Sequence, residues 1–338
     1  MKYTVIAFSL LILIGCKTPA TITIGFYNVE NLFDTEDEPY KFDEFYTPNS
    51  EIKWDKEKYN SKLQNLSQVI SELSDKKAPE FLGLCEIENK GVIKDLVNEP
   101  LLKPYHYKIV HFESGDERGI DVGFIYQPKV FTVLYKEAIV VDLSKFNDKT
   151  RDILYVKGKL NNGETLHFFV NHWSSRRGGR KESEPKRIIA AETLKRAKDK
   201  ILAKNKSAKI IVMGDFNDEP ANTSIDTYLD SEGSATKVNG NELYNPMYAL
   251  EQADLGSYKY GKWWDMLDQI MVSKALITKH ANKYHYQHNS AEIKDNEWMK
   301  QHGNKYEGSP LRTFGGRTYL AGYSDHFPVY IKLKINKK

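Results

Sequence analysis

The chain reads as an α/β protein of the α+β type, with antiparallel or mixed β-sheets and helices packed outside them. Three observations predict this. Short runs rich in β-formers recur along most of the length, several neighbouring runs are joined by turn-length connections with no helix between them, and only two long stretches carry apolar residues at helical spacing.

The first strand covers 22–29, where Ile22, Ile24, Phe26 and Tyr27 stand in an alternating, β-rich run. Residues 55–74 place Leu63, Leu66, Val69, Ile70 and Leu73 three and four apart, which predicts an amphipathic helix. A second helix is expected to begin at Pro185, a residue favoured in a first turn, and to carry Ile188, Ile189, Leu194, Ile201 and Leu202 on one side. Further strands are expected at 80–87, 107–112, 121–126, 129–141, 153–160, 166–172, 208–213, 267–272 and 327–335. Residues 274–322 are the least regular part and read as loops at one end of the sheets. With no internal repeat and no Pro/Gly/Ser linker, one domain is expected over 22–338.

Composition narrows the function class. Lys+Arg number 49 against 46 Asp+Glu, a net of +3, which is too balanced for a histone-like polybasic binder. With 40% hydrophobic residues the 338-residue chain can bury a core and is neither disordered nor collagenous.

The N-terminus reads as a targeting segment. Lys2 precedes the apolar run Val5–Ile14, too short to span a bilayer, and residues 1–15 are expected to be a signal peptide. Leu13-Ile14-Gly15-Cys16 resembles a bacterial lipobox, so Cys16 is expected to carry lipid on a short tether, 16–21, and to be the protein's one link to a membrane. The expected location is exported, as a membrane-anchored lipoprotein at the periplasmic or outer cell surface; the alternative is an ordinary signal peptide and a secreted product. Cys85, the second of two cysteines, lies in the apolar run Phe81–Cys85 and reads as a core residue.

Polar residues follow the apolar runs again and again. Asn28 and Glu86 follow the first two, Asn171-His172 ends a third, Asp215-Phe216-Asn217 follows Ile210–Gly214, Asp268 sits in Met266–Ile270, and Ser324-Asp325-His326 introduces the last strand. Oxygen donors of this kind suit a hard cation such as Mg²⁺, with Mn²⁺ or Ca²⁺ as alternatives. Two histidines able to exchange protons near neutral pH suit hydrolysis. No Cys/His cluster of structural-zinc type is present.

In this order Tyr27-Asn28-Val29-Glu30-Asn31, Cys85-Glu86-Ile87-Glu88, Arg118-Gly119-Ile120-Asp121, Asn171-His172-Trp173, Gly214-Asp215-Phe216-Asn217-Asp218, Leu267-Asp268-Gln269-Ile270 and Ser324-Asp325-His326-Phe327-Pro328 resemble the motif set of the endonuclease/exonuclease/phosphatase superfamily, the relatives of pancreatic deoxyribonuclease. The resemblance covers roughly 22–335, and the stretch after His172 looks most like secreted bacterial nucleases of that group. It implies a four-layer α/β/β/α sandwich, two mixed sheets face to face with helices outside and a site at one rim. By the same resemblance Glu86 is the principal metal ligand, with Asn28 beside it and Asp325 a further carboxylate. His326 is implied as general base with Asp268 orienting it, His172 as acid or phosphate ligand, and Asp215 and Asn217 as the pair that positions water and binds the scissile phosphate.

Residues 176–187 hold six Lys/Arg against two Glu directly after the His172 strand, so Arg176 and Arg177, with Arg118, are the expected phosphate contacts. Trp263, Trp264, Tyr284, Tyr286, Arg312, Arg317, Tyr319 and Tyr323 are aromatics and bases that could stack on nucleobases or pack loops on a sheet edge. The function expected is a metal-dependent phosphodiesterase, an endonuclease on extracellular DNA, with RNA as an alternative nucleic acid. Sphingomyelin or inositol phosphates are the competing substrates, a non-catalytic binder is the remaining alternative, and no protein partner is implied.

Overall fold

The computed structural model describes residues 20–335 except Lys76, Ala281, Asn282 and Asn304. The expected signal peptide, Cys16 and residues 17–19 of the tether lie outside the described residues. In chain order the first half contains β1 (Thr21–Leu32), α1 (Lys56–Ser71), β2 (Phe81–Ile87), α2 (Lys90–Asn98), β3 (Lys108–His111), β4 (Asp121–Tyr126), β5 (Phe131–Ile139), β6 (Ile153–Leu160) and β7 (Thr165–His172). Then come α3 (Arg180–Lys204), β8 (Lys209–Asp215), β9 (Ser231–Glu232), β10 (Leu243–Tyr244), β11 (Tyr258–Tyr260), β12 (Trp263–Asp265), β13 (Asp268–Ser273), β14 (Tyr284–Tyr286), β15 (Glu292–Ile293), β16 (Phe314–Gly315), β17 (Thr318–Tyr319) and β18 (Val329–Ile335).

Two mixed seven-stranded sheets result. One runs β14-β18-β1-β2-β4-β3 with β15 also on β18, the other β5-β6-β7-β8-β13-β10-β9. Each has a parallel pair at its centre, β1 with β2 and β7 with β8. A parallel pair needs a crossover, and α1 and α3 supply the two.

The sheets face each other across a core in which Ile24, Phe26, Phe81 and Phe124 meet Val156, Phe168, Ile211, Met213 and Ile270. Alternate residues of the same strands face outward. Tyr27, Leu82 and Leu84 are covered by α1 and α2, and Ile210 and Val212 pack with Ala191, Leu194 and Leu202 of α3. Burial on both faces explains why Ile210–Met213 is a continuous apolar run and not an alternating one. The four layers match the sandwich expected from the sequence.

Two expectations are corrected, and one helix is added to them. Helix α3 starts at Arg180, five residues before Pro185, because buried Arg187 ties down an extra first turn through the Arg180 carbonyl (2.9 Å) and Ser183 Oγ (2.7 Å). Helix α2 was not expected; Asn89 caps it by accepting from the amides of Gly91 and Val92. Residues 274–322 are not all loop, since β14 and β15 pair with β18 and extend the first sheet. Among the described residues no helix is long and apolar enough to cross a membrane.

Candidate active site

The motif residues meet at one rim because strand register brings them there. Across three adjacent strands His172 pairs with Asp215 and Asp215 with Asp268, so one row carries all three. From the other sheet, β1 and β2 end in bulges whose residues Glu30, Asn31 and Glu86 have positive φ (51°, 51° and 59°), a conformation rare for side-chain-bearing residues. These turns aim Asn28 and Glu86 at the second sheet. Asn28 Nδ2 then joins the two sheets, donating to Asp215 Oδ2 at 3.0 Å and to Glu86 Oε1 at 3.3 Å. The Asn31 amide donates to Glu86 Oε2 at 2.9 Å.

His326 enters on the turn before β18. Ser324 Oγ donates to the Asn28 carbonyl (2.7 Å) and accepts from the His326 amide (3.1 Å), which fixes this turn on β1. The His326 ring lies 2.6 Å through Nδ1 from Asp268 Oδ2, and Ser257 Oγ donates to the same oxygen at 2.5 Å. Nε2 of His326 is 3.9 Å from Asp215 Oδ2, while Nε2 of His172 is 3.7 Å from that oxygen and 3.9 Å from Glu86 Oε1. Two imidazoles thus flank one buried carboxylate.

Burial sets the charge states. It pushes the Asp215 carboxyl up to about 6, with His326 opposing the rise and Asp268 adding to it. Burial also holds His172 well below its usual range, helped by Arg151 and Arg118, so this ring is neutral. For His326 burial is outweighed by Asp268, Asp215 and Asp325, which hold it well above the ordinary value. Burial pushes the Cys85 thiol up, and its sulfur lies near His172 and Asp215.

Asp325 is half-buried and faces Arg312 at 3.6 Å. Beneath it lies a pair that sequence reasoning missed: buried Lys62, 3.6 Å from Glu30 Oε2, which also donates to Thr313 Oγ1 (2.6 Å) and the Tyr323 carbonyl (2.8 Å). A lysine between Tyr59 and Leu63 on the buried face of α1 was the available signal. Glu30 is pushed up to about 7 by burial. Glu86 and Asp215 both meet the Asn28 amide, and Asp325 acts electrostatically on Glu30 and His326; oxygen donors of this chemistry fit a divalent cation.

The basic residues divide into two groups. Arg118 is half-exposed, 3.6 Å from Asp116, and with exposed Arg177 and Lys149 lines a cavity of about 290 Å³, in which buried Arg151 is paired with Asp116 and Lys186 with Asp148. Arg176 instead donates from Nε to the Asn217 carbonyl (2.8 Å) and faces Asp265 (3.3 Å), Asp218 (3.7 Å) and Glu219 (3.6 Å). Asn217, at φ 50°, donates its amide N–H to Asp215 Oδ1 (2.9 Å) and its side-chain amide to the Trp173 carbonyl (3.1 Å).

Most of the aromatics that could stack on bases or pack loops do the latter or lie in the sheet. Tyr284 and Tyr286 are buried on β14, which pairs with the far end of β18, because the sheet continues where loop was expected. Trp264 packs on Phe327, Tyr319 on Phe314 and Tyr323 on Trp298, while Arg317 pairs with Glu51 at 2.8 Å. Trp263 is exposed on the β11–β12 hairpin, whose Tyr258 was not anticipated and lies against the His326 ring at 4.8 Å.

The family model described as "Endonuclease/Exonuclease/phosphatase family" matches residues 23–335. Among solved structures, the chain is similar to D. rerio TDP2 complexed with single-strand DNA product, at 13% identity and TM-score 0.56, covering 94% of this chain and 100% of that one. It is similar to an endonuclease/exonuclease/phosphatase family protein of Bacteroides thetaiotaomicron, at 16% and 0.58, covering 95% and 100%. A mannosyl-6-phosphatase of the same organism resembles it at 16% and 0.55, covering 92% and 99%. No curated protein sequence matches the chain significantly. At these identities the structures establish the fold, and the family match over almost the whole described chain establishes the lineage. The chain belongs to the endonuclease/exonuclease/phosphatase family, divalent-metal-dependent hydrolases of phosphoester bonds.

Proposed function

We propose that the protein hydrolyses phosphodiester bonds of DNA, with Mg²⁺ as the divalent ion. The observation that carries this reading is the buried Asp268–His326 pair facing Asp215, with a second, neutral histidine on the other side of that carboxylate.

When bound, a divalent cation held by Glu86, Asn28 and Asp325 offsets the negative charge on the phosphoryl oxygens. His326 removes the proton from the attacking water at Nε2, because Nδ1 is committed to Asp268. Asp268 fixes that tautomer and stabilises the imidazolium that forms. His172, held neutral by burial, donates a hydrogen bond to a phosphate oxygen; as the water oxygen bonds to phosphorus the bond to the leaving sugar oxygen breaks, and that oxygen takes up a proton from solvent. Asp215 orients the water between the two rings. Asn217 and Arg176 act as positioning residues, since both hold the turn after β8 that presents Asp215. Arg118 and Arg177 in the basic cavity contact the phosphates of the backbone.

The DNA reading draws support from that basic cavity and from the single-strand DNA product held by the similar D. rerio TDP2. One observation favours a lipid phosphodiester instead: Tyr260 and Trp263 stand exposed on the β11–β12 hairpin near the site. Incubating the mature protein with plasmid DNA, sphingomyelin vesicles and an inositol phosphate, each with Mg²⁺ or with chelator, decides between them. DNA cleavage that the chelator abolishes is expected; hydrolysis of lipid or inositol phosphate alone would overturn the reading.

We further propose that the protein is exported and anchored through lipid on Cys16. Ala20 precedes β1 and accepts from the Ile335 amide at 3.1 Å, at the end of β1 opposite Asn28. A tether leaving there would direct the site away from a membrane. Metabolic labelling with a fatty acid should mark the wild type and not Cys16→Ala; equal labelling would contradict the anchor.

A further inference from the structure

A cavity of about 730 Å³ adjoins the His326 side of the candidate site, within the roughly 300–1,000 Å³ typical of small-ligand sites. Its inner end is Tyr258, whose ring lies 4.8 Å from the His326 ring at 35° and whose backbone bridges to His326. Beside Tyr258 stands Arg312, the partner of Asp325. Tyr260 forms the outer lip and is 72% exposed, and Lys259 and Lys305 line the cavity with it.

The hairpin cannot drift from the site. Phe327 donates its amide to the Ser257 carbonyl at 2.7 Å, and Lys259 Nζ donates to the Glu307 carbonyl at 2.8 Å, joining the hairpin to the 301–320 wall. A tyrosine kept open to water at the mouth of a fixed cavity offers a flat apolar face. The lysines and arginine around it offer positive charge. A planar ring carried on an anionic phosphate answers both features, and base-on-aromatic stacking is worth about 1–3 kcal/mol per base.

We propose that this cavity receives one unstacked nucleoside adjoining the scissile phosphate, so that the enzyme prefers single-stranded to duplex polynucleotide. The inference rests on the nuclease reading above. A base inside a duplex is already stacked and paired, and entry would require extruding it at a cost of a few kcal/mol. In a single strand that cost is largely absent.

The test compares kcat/KM of the full mature protein on one oligonucleotide, free and annealed to its complement, with Mg²⁺. The wild type is expected to favour the single strand by about tenfold or more. Tyr260→Ala should bring that ratio below about threefold, mainly by raising KM for the single strand. Lys305→Ala, at a second exposed position, should move the ratio in the same direction. Equal rates on both forms in the wild type, or a ratio that neither variant changes, would overturn the proposal while leaving the nuclease reading in place. Hydrolysis of neither form would overturn both.

Discussion

Nδ1 of His326 lies 2.6 Å from Oδ2 of Asp268, with both side chains buried. Burial alone would favour a neutral ring, yet Asp268, followed by Asp215 and Asp325, holds His326 well above its ordinary value. A histidine so placed is a stronger base and, below its raised value, is protonated and cannot accept the water's proton. The pH–rate profile should therefore show an acidic limb. Asp268→Asn removes the largest upward influence, so that limb should move to lower pH while kcat falls by about 10²-fold through the lost tautomer and orientation. An unmoved limb would show that the pair does not set the titration.

Asp215 is held up to about 6 by burial, against the ordinary carboxyl value of 3.8. A carboxyl raised on folding resists ionisation in the native state, so the native state loses stability as pH climbs from about 4 through about 6. Asp215→Asn carries no such penalty. Without added metal it should melt above the wild type at pH 7.5, and the gap should narrow as pH is lowered through that window. Its turnover should fall by orders of magnitude. Circular dichroism melts at several pH values read the first effect, and a melting point below the wild type at pH 7.5 would contradict it.

Lys62 and Glu30 form a buried pair 3.6 Å apart under the site. Breaking such a pair leaves an unpartnered buried charge and costs about 3–5 kcal/mol. Lys62→Met should destabilise most above pH 7, where Glu30 ionises, and less at pH 5, where Glu30 is protonated and needs no cation. Urea unfolding at the two pH values measures the difference. Equal losses at both would mean that the lysine acts through packing alone.

The arginines should separate by salt dependence. Losing a phosphate contact lowers the slope of log affinity against log salt by about 1. Arg118→Ala and Arg177→Ala should each do this for DNA. Arg176→Ala, whose guanidinium holds the Asn217 turn and faces Asp218, Glu219 and Asp265, should instead lower kcat and stability at nearly constant slope. A slope change confined to Arg176→Ala would reverse the assignment.

Much of the site is legible in the sequence because its residues sit at strand ends, where an apolar run stops and a polar group must face the rim. Glu86, His172 and Asp215 follow that rule, and register then sets His172, Asp215 and Asp268 in one row. What the sequence hides depends on partners distant along the chain. Arg176 and exposed Arg177 are neighbours in one basic run, and only the return of Asp218, Glu219 and Asp265 to the same place separates their roles. Tyr284 and Tyr286 read as loop aromatics because the strand they extend lies some fifty residues further on. The bulge that turns Glu86 toward the second sheet left no composition signal, since its backbone conformation is imposed by neighbouring strands. Helix α2 has a capping Asn89 and four buried apolar residues, but nine residues are too few for periodicity to stand out.

The most direct test is hydrolysis of an end-labelled single-stranded oligonucleotide by wild type and His326→Ala, each with Mg²⁺ and with excess chelator. Cleavage is expected from the wild type with Mg²⁺ only, and a loss of about 10²–10⁴-fold in kcat for His326→Ala with an unchanged circular dichroism spectrum. Cleavage that persists in chelator, or a His326→Ala enzyme close to wild-type rate, would contradict it.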